Sequence, residues 1–322
     1  MTNFIFQSFS KDSLLELFST REGETKIGEK IAFQNANSKT KYVLLGIEEC
    51  AGPQANFGQT GAQNGFKAFL KRFLNMQSNR FLSGEEILLL GAIKQTSSFY
   101  SQKETSTVIS ELDTLVEEIV KPYVIKGYIP IVIGGGHNNA YPIIKAISES
   151  FNQAIHVFNL DPHADCRALE GRHSGNSFSY AKEHGFMDQY TVFGLHKNYN
   201  SEFIYNYLEK NNFNFTFFED YILNDTQFDV DIQNALLAIS ENCKFGIELD
   251  LDAIEFTPSS AYTPSGINSV AARKYIKTFA KHKNCVYLHL PEGAPNNELE
   301  EKIVGKLLAY FVADFIQENT KI

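Results

Sequence analysis

The stretch "DPHAD", Asp161 to Asp165, sets two carboxylates and an imidazole at two-residue steps directly after the apolar run "AIHVFNL". In an extended chain, residues two apart face the same side. Asp161, His163 and Asp165 can therefore reach one cavity as the strand frays into its loop. A second run, "FGIELDLD", carries Asp250 and Asp252 at the same step, "IPIVIGGGH" delivers His137, and "CVYLHLPEGAP" delivers Glu292. A carboxylate is costly to bury unless it is paired or coordinates a metal. An oxygen-rich set with one or two imidazoles suits Mn²⁺ or a related cation better than the sulfur sites of zinc. His137, Asp161, His163, Asp165, Asp250 and Asp252 are more ligands than one ion needs, and bridging carboxylates are the usual solution in two-metal hydrolases. Each motif alone has a plainer reading: D-x-D as a solvated turn, Asp-Pro as an Asx-turn, GGGH as a tight turn feeding a helix. Their joint occurrence at several strand ends favours the metal.

The elements that must position these residues are also legible. Eight β-prone runs appear, at 41–47, 86–93, 129–135, 155–161, 190–195, 213–218, 245–252 and 285–290, several of them apolar almost throughout. That is how strands covered on both faces read. Between them lie helical patterns such as "TSTVISELDTLVEEIVKPYVIKG" and, at the end of the chain, "ELEEKIVGKLLAYFVADFIQE". Strand and helix in alternation predict an α/β fold, a three-layer α/β/α sandwich around a mostly parallel eight-stranded sheet. No repeat or linker divides the chain, so residues 1–322 are read as one domain, with 1–35 as an N-terminal helical extension. In open parallel sheets ligands bind outside the carboxyl ends of the strands, which is where the polar groups collect.

The bulk properties exclude some classes. The net charge of −9 argues against non-specific nucleic-acid binding, which needs basic surface. No run of 18 or more apolar residues and no signal-like N-terminus is present, so a soluble, cytoplasmic protein without membrane contact is expected. Cys50, Cys166, Cys243 and Cys285 form no C-x-x-C pair, and reduced cysteines are expected.

Taken in order, "GGGH", "DPHAD" and "ELDLD" resemble the GGDH, D-x-H-x-D and S-x-D-x-D motifs of the arginase–agmatinase family, the ureohydrolases. The resemblance covers nearly the whole chain and implies an arginase-like fold. By position, His137, Asp161, Asp165 and Asp250 resemble the ligands of one manganese; Asp161, His163, Asp250 and Asp252 resemble those of a second, with Asp161 and Asp250 bridging. Glu292 matches the glutamate of an E-x-x-P element that faces the amidine or guanidine of the substrate. Within the family the chain resembles the formimidoylglutamase subgroup, through its early "NFGQTGA" loop, Arg167 after Asp165, "HSGNSFSYA" and "GLHKNYNSE". There are departures: Gly136 for the usual aspartate, Pro162 for alanine, Glu248 for serine, Gln59 for a frequent arginine, and Asn176 and Ser177 for Thr and Pro.

The resemblance implies two Mn²⁺ per chain and a homo-oligomer, trimer or hexamer. It implies hydrolysis of a linear amidine, N-formimidoyl-L-glutamate to L-glutamate and formamide in histidine degradation. Asp165 is the expected proton carrier, with His173 as a possible shuttle. An acidic substrate needs cations or polar donors at the rim, for which Arg167, Arg172, Asn176, Lys197 and Asn198 are the candidates. Two other readings stand beside this one: a guanidine hydrolase releasing urea, and a catalytically silent metal-binding regulatory homologue.

Overall fold

Strands that are apolar on both faces need cover on both sides, and the chain supplies it. The computed structural model describes residues 2–97, 102–224 and 226–320. Its strands are β1 (Phe4–Ser8), β2 (Ala32–Phe33), β3 (Tyr42–Glu48), β4 (Ile87–Gln95), β5 (Ile129–Ile133), β6 (Ile155–Leu160), β7 (Met187–Leu195), β8 (Asn214–Phe217), β9 (Phe245–Leu249) and β10 (Cys285–Leu290). They form one sheet in the order β1-β4-β3-β5-β10-β9-β6-β7-β8, with β2 also on β4. Every pairing is parallel except β1 with β4.

Alternation along each strand divides the core in two. Ile131 and Ile133 of β5, Phe158 and Leu160 of β6, and Leu288 and Leu290 of β10 pack with helices Gly65–Phe73, Ser269–Ala280 and Glu298–Asn319. Val132, Val157 and Tyr287 from the same strands face helices Gln102–Ile125, Ala140–Phe151 and Ser177–Glu183 on the other side. The expected α/β/α layering is present.

Two points differ from the sequence reading. The sheet has ten strands rather than eight. The two additional ones lie within 1–35, where a helical extension is expected; helical pieces there are confined to Lys11–Leu14, Leu15–Leu17 and Ile27–Lys30. β1 shows no alternation strong enough to read, because only Phe4 of its five residues is buried. It is a strand because β4 offers an open edge, which an added antiparallel strand covers. Gly91 of β4, at φ 148°, makes the close approach possible: a Cβ there would lie 2.1 Å from the Gln7 carbonyl.

The order of strands decides the site. β5, β10, β9 and β6 are consecutive neighbours. Their carboxyl ends therefore open side by side, and the residues that follow them share one crevice.

Candidate metal centre

His137 enters the crevice on a turn that begins with Gly134 and Gly135, at φ 87° and 70°. Side chains would be strained in that conformation and crowded as well: a Cβ at Gly135 would lie 2.7 Å from Asn139 Nδ2. His137 is fully buried, and its Nδ1 lies 3.1 Å from Asp161 Oδ2, 3.0 Å from Asp165 Oδ2 and 2.9 Å from Asp250 Oδ2. Despite three oxygens at that distance, Nδ1 has no aligned hydrogen bond. A ring nitrogen and three carboxylate oxygens converging without bonding one another fit a cation between them. The four ligand atoms all lie within 4.8 Å of one another.

Asp161 and Asp250 are built alike. In each, Oδ1 accepts the backbone N–H two residues on, His163 and Asp252 respectively, at 2.7 Å. Each Oδ2 faces His137, that of Asp161 also accepting the Asn159 amide at 3.0 Å. Toward His137, the Asx-turn and the ligand are thus not rival readings of these aspartates, because different oxygens serve each. His163 and Asp252 form a looser second group: His163 Nδ1 is 3.6 Å from Asp161 Oδ1 and 4.0 Å from Asp252 Oδ2. His163 stacks on Tyr199, at 5.5 Å between ring centres. Asp252 accepts the Ala261 N–H at 2.9 Å.

Asp161, Asp165, Glu248, Asp250, Asp252 and Glu292 are all buried. Among the described residues none pairs with a lysine or arginine, and the ion-pair partners they have are histidines. So much buried negative charge with so few cations calls for bound positive charge. The titration behaviour agrees. Burial, with Asp252 and Asp161 beside it, drives the Asp250 carboxyl well above the ordinary range. Burial, with Asp161 nearby, raises that of Asp165. Burial opposes a charged His163, but Asp161 and the other carboxylates outweigh it and push the ring up to about 10. Asp165 (φ 47°) and Glu292 (φ 66°) also hold left-handed backbone, uncommon for these residues and typical of sites where surrounding structure over-determines the chain.

Glu292, after β10, accepts the His137 backbone N–H through Oε1 at 2.7 Å, while its Oε2 is buried without a partner. Burial and the nearby Asp252 push its carboxyl up to about 8. It lines a cavity of about 240 Å³ together with His163, Asp165, Asp250, Asp252 and Arg167. Asn56, Phe57, Ser174, Gly175, Tyr199, Asn200 and Ser260 complete much of its wall.

Several expected rim residues are elsewhere. Arg172 is buried against Asp113 (Nε to Oδ2, 2.9 Å), donates to the Asn138 carbonyl at 2.6 Å, and lies over the rings of Tyr141 and Tyr180. Asn176 accepts from Arg172 and from the His173 N–H, and donates to the Gly171 carbonyl. Both serve the 165–176 loop and neither lines the cavity. Lys197 is exposed and held by Asp220 at 2.9 Å, and Asn198 is exposed beside it; neither lines the cavity. Arg167 does line it, with Nη1 donating to Asn56 Oδ1 at 3.0 Å. His173 accepts the Gly175 N–H at Nδ1 and meets Glu170 at Nε2, so both ring nitrogens are spent on the loop. Burial and nearby Arg167 depress its pKa to about 4, which leaves it neutral and poorly placed to shuttle protons. His196 stacks on Tyr199 and Phe218.

Sequence reading missed Glu49, which is buried and accepts the N–H of Gly136 at 2.8 Å, the Asn139 amide at 2.8 Å and the Gly52 N–H at 3.2 Å. Gly136 itself has no room for a side chain, since a Cβ would lie 2.2 Å from Pro53 Cδ. Glu49 thus steadies the turn at the position of the absent aspartate. Its signal was a second glutamate at a strand end, indistinguishable in sequence from a solvated one.

Residues 41–317 match the model of the Arginase family. Among curated proteins, a formimidoylglutamase of Staphylococcus carnosus is 23% identical over 275 residues, 85% of each chain. Among solved structures, the formimidoylglutamase of Bacillus subtilis superposes with a TM-score of 0.79 at 16% identity, covering 94% of both chains. The Trypanosoma cruzi formiminoglutamase with Mn²⁺ superposes with a TM-score of 0.73 at 19% identity, covering 92% of this chain and 98% of that one.

Proposed function

The chain belongs to the Arginase family, and from that premise we propose that it is an amidinohydrolase that holds two manganese ions and cleaves N-formimidoyl-L-glutamate to L-glutamate and formamide. The observation that carries the reading is the cavity that Asp165 and Asp250 of the cation cradle share with Glu292, whose Oε2 has no partner. A carboxylate oxygen free beside a cluster of metal ligands is suited to an amidinium, which offers it a charge-assisted hydrogen bond. The formimidoylglutamases among the chain's relatives supply the substrate.

His137, Asp161, Asp165 and Asp250 would hold one cation; Asp161, His163, Asp250 and Asp252 the other. Bound cations of this kind supply a water made acidic enough to react near neutral pH. The chain's residues do the rest. Glu292 holds and orients the amidinium over the site. Water oxygen adds to the amidine carbon, and the bond from that carbon to the glutamate nitrogen breaks. Asp165 takes the proton released from water and returns it to the departing nitrogen. Arg167 offers the substrate a planar cation at the rim.

One observation favours a second reading, a less acidic amidine or guanidine. Arg172 and Lys197 are engaged by Asp113 and Asp220, and Arg167, the arginine or lysine lining the cavity, itself pairs with Glu170 at 3.2 Å. Parallel assays of the Mn²⁺-loaded protein with formimidoylglutamate, arginine, agmatine and guanidinobutyrate separate the two. Formamide from the first substrate is expected. Urea from a guanidine, with no formamide, would overturn the substrate and leave the hydrolase.

A further inference from the structure

Glu248 sits on β9, fully buried, two residues before Asp250. The resemblance noted above has a serine at this position. The carboxylate is held from the neighbouring strand. Its Oε1 accepts from the Tyr287 hydroxyl at 2.8 Å, and its Oε2 lies 2.6 Å from His289 Nδ1. Glu248 and His289 are register partners across β9 and β10, so the sheet itself sets this pair.

The same Oε2 lies 3.3 Å from His137 Nε2. The approach is off the hydrogen-bond line, so the bond requires the ring to turn toward Glu248. His137 thus has one nitrogen toward the cradle and the other toward a fixed carboxylate. An imidazole can offer a lone pair at Nδ1 only when its proton is on Nε2. A carboxylate accepting that proton settles the tautomer, orients the ring and raises its basicity as a ligand.

We propose that Glu248 is a positioning residue of the metal centre: it accepts the Nε2–H of His137 and so presents Nδ1 to the cation held with Asp161, Asp165 and Asp250. The proposal rests on the two-cation reading above. His163 belongs to the other cation and makes no ion pair with Glu248, so the larger effect falls on the ion that His137 holds, although the two ions share Asp161 and Asp250. A carboxylate that served the sheet alone would show no such selectivity.

Equilibrium dialysis of the metal-free protein against Mn²⁺ tests this, with circular dichroism and thermal melting to confirm that each variant folds. The wild type is expected to bind two ions per chain. Glu248→Gln, which cannot accept as an anion, should weaken one of them about 10–100-fold and the other, which shares Asp161 and Asp250, by less. Glu248→Ser should weaken the same ion to a lesser degree. Tyr287→Phe, which loosens Glu248 without touching His137, should do so by less than about 10-fold, and it keeps the test alive if the Glu248 variants do not fold. Unchanged affinities in every folded variant, or an equal loss at both sites accompanied by a lower metal-free melting temperature, would overturn the proposal. If the wild type binds one ion, the two-cation reading fails; weakening of that ion in Glu248→Gln still supports the positioning role, and its absence overturns it.

Discussion

Glu292 serves two partners with two oxygens. Oε1 takes the His137 N–H, and Oε2 is left for a ligand. Glutamine keeps an acceptor for the backbone and removes the charge that Glu292 carries with an amidinium beside it. Glu292→Gln should leave Mn²⁺ content unchanged while kcat/KM falls roughly 10–150-fold, since a hydrogen bond to a charged group contributes about 1.5–3 kcal/mol. Metal analysis beside steady-state kinetics checks this, and unaltered kinetics would place Glu292 off the substrate. Arg167 lends itself to a similar test. Its planar fork matches a carboxylate as a lysine ammonium does not. Arg167→Lys should raise KM for formimidoylglutamate more than it lowers kcat; a drop in kcat alone would show that Arg167 acts on the reaction and not on the substrate's carboxylates.

At the scale of elements, the loop from Asp165 to Asn176 matters because it carries one of the residues proposed as ligands and part of the cavity wall yet has no regular structure beyond a short turn at Ser174–Asn176. Arg172 anchors it to helix Gln102–Ile125 through Asp113, and to the His137 turn through the Asn138 carbonyl. Removing one member of a buried ion pair leaves an uncompensated charge and costs about 3–5 kcal/mol. Arg172→Met should lower stability by about that amount in urea titrations, with KM of the folded fraction close to wild type. Adding Asp113→Leu should recover part of the loss, since the orphaned carboxylate is then gone. A large rise in KM without loss of stability would return Arg172 to the substrate.

Across the whole molecule, the concentration of buried carboxylates at one sheet edge is tolerated best with cations bound. Ligands that bind only the folded state stabilise it by mass action, by about 2.7 kcal/mol per site at a hundred times Kd. Chelation should therefore lower the melting temperature by several degrees, and Mn²⁺ should restore it while Mg²⁺ at the same concentration does so less well, because imidazole suits manganese better than magnesium. Calorimetry of stripped and reloaded protein checks this. Identical melting temperatures would mean that the cradle binds no metal at these concentrations. No helix among the described residues is long and apolar enough to cross a membrane.

Strand runs and the polar residues at their ends were legible in the sequence because both are local. β3 to β10 are announced by their own apolar residues, and His137, Asp161, Asp165 and Asp250 by their place just beyond strand ends. Which strands are neighbours is not local. Only the order β5-β10-β9-β6 turns four separate polar ends into one crevice. Nor can a sequence say what a cation faces. Arg167 and Arg172 look alike five residues apart, yet Arg172 meets Asp113, 59 residues earlier in the chain, and Arg167 meets the cavity. Glu248 and Glu49 read as ordinary glutamates; strand register and the turn after β5 make them buried acceptors. β1 is a strand because of β4's open edge, which lies some ninety residues away in the chain. Periodicity encodes burial and element type, whereas the partner of a charge or the cover of an edge is decided by what the fold brings across space.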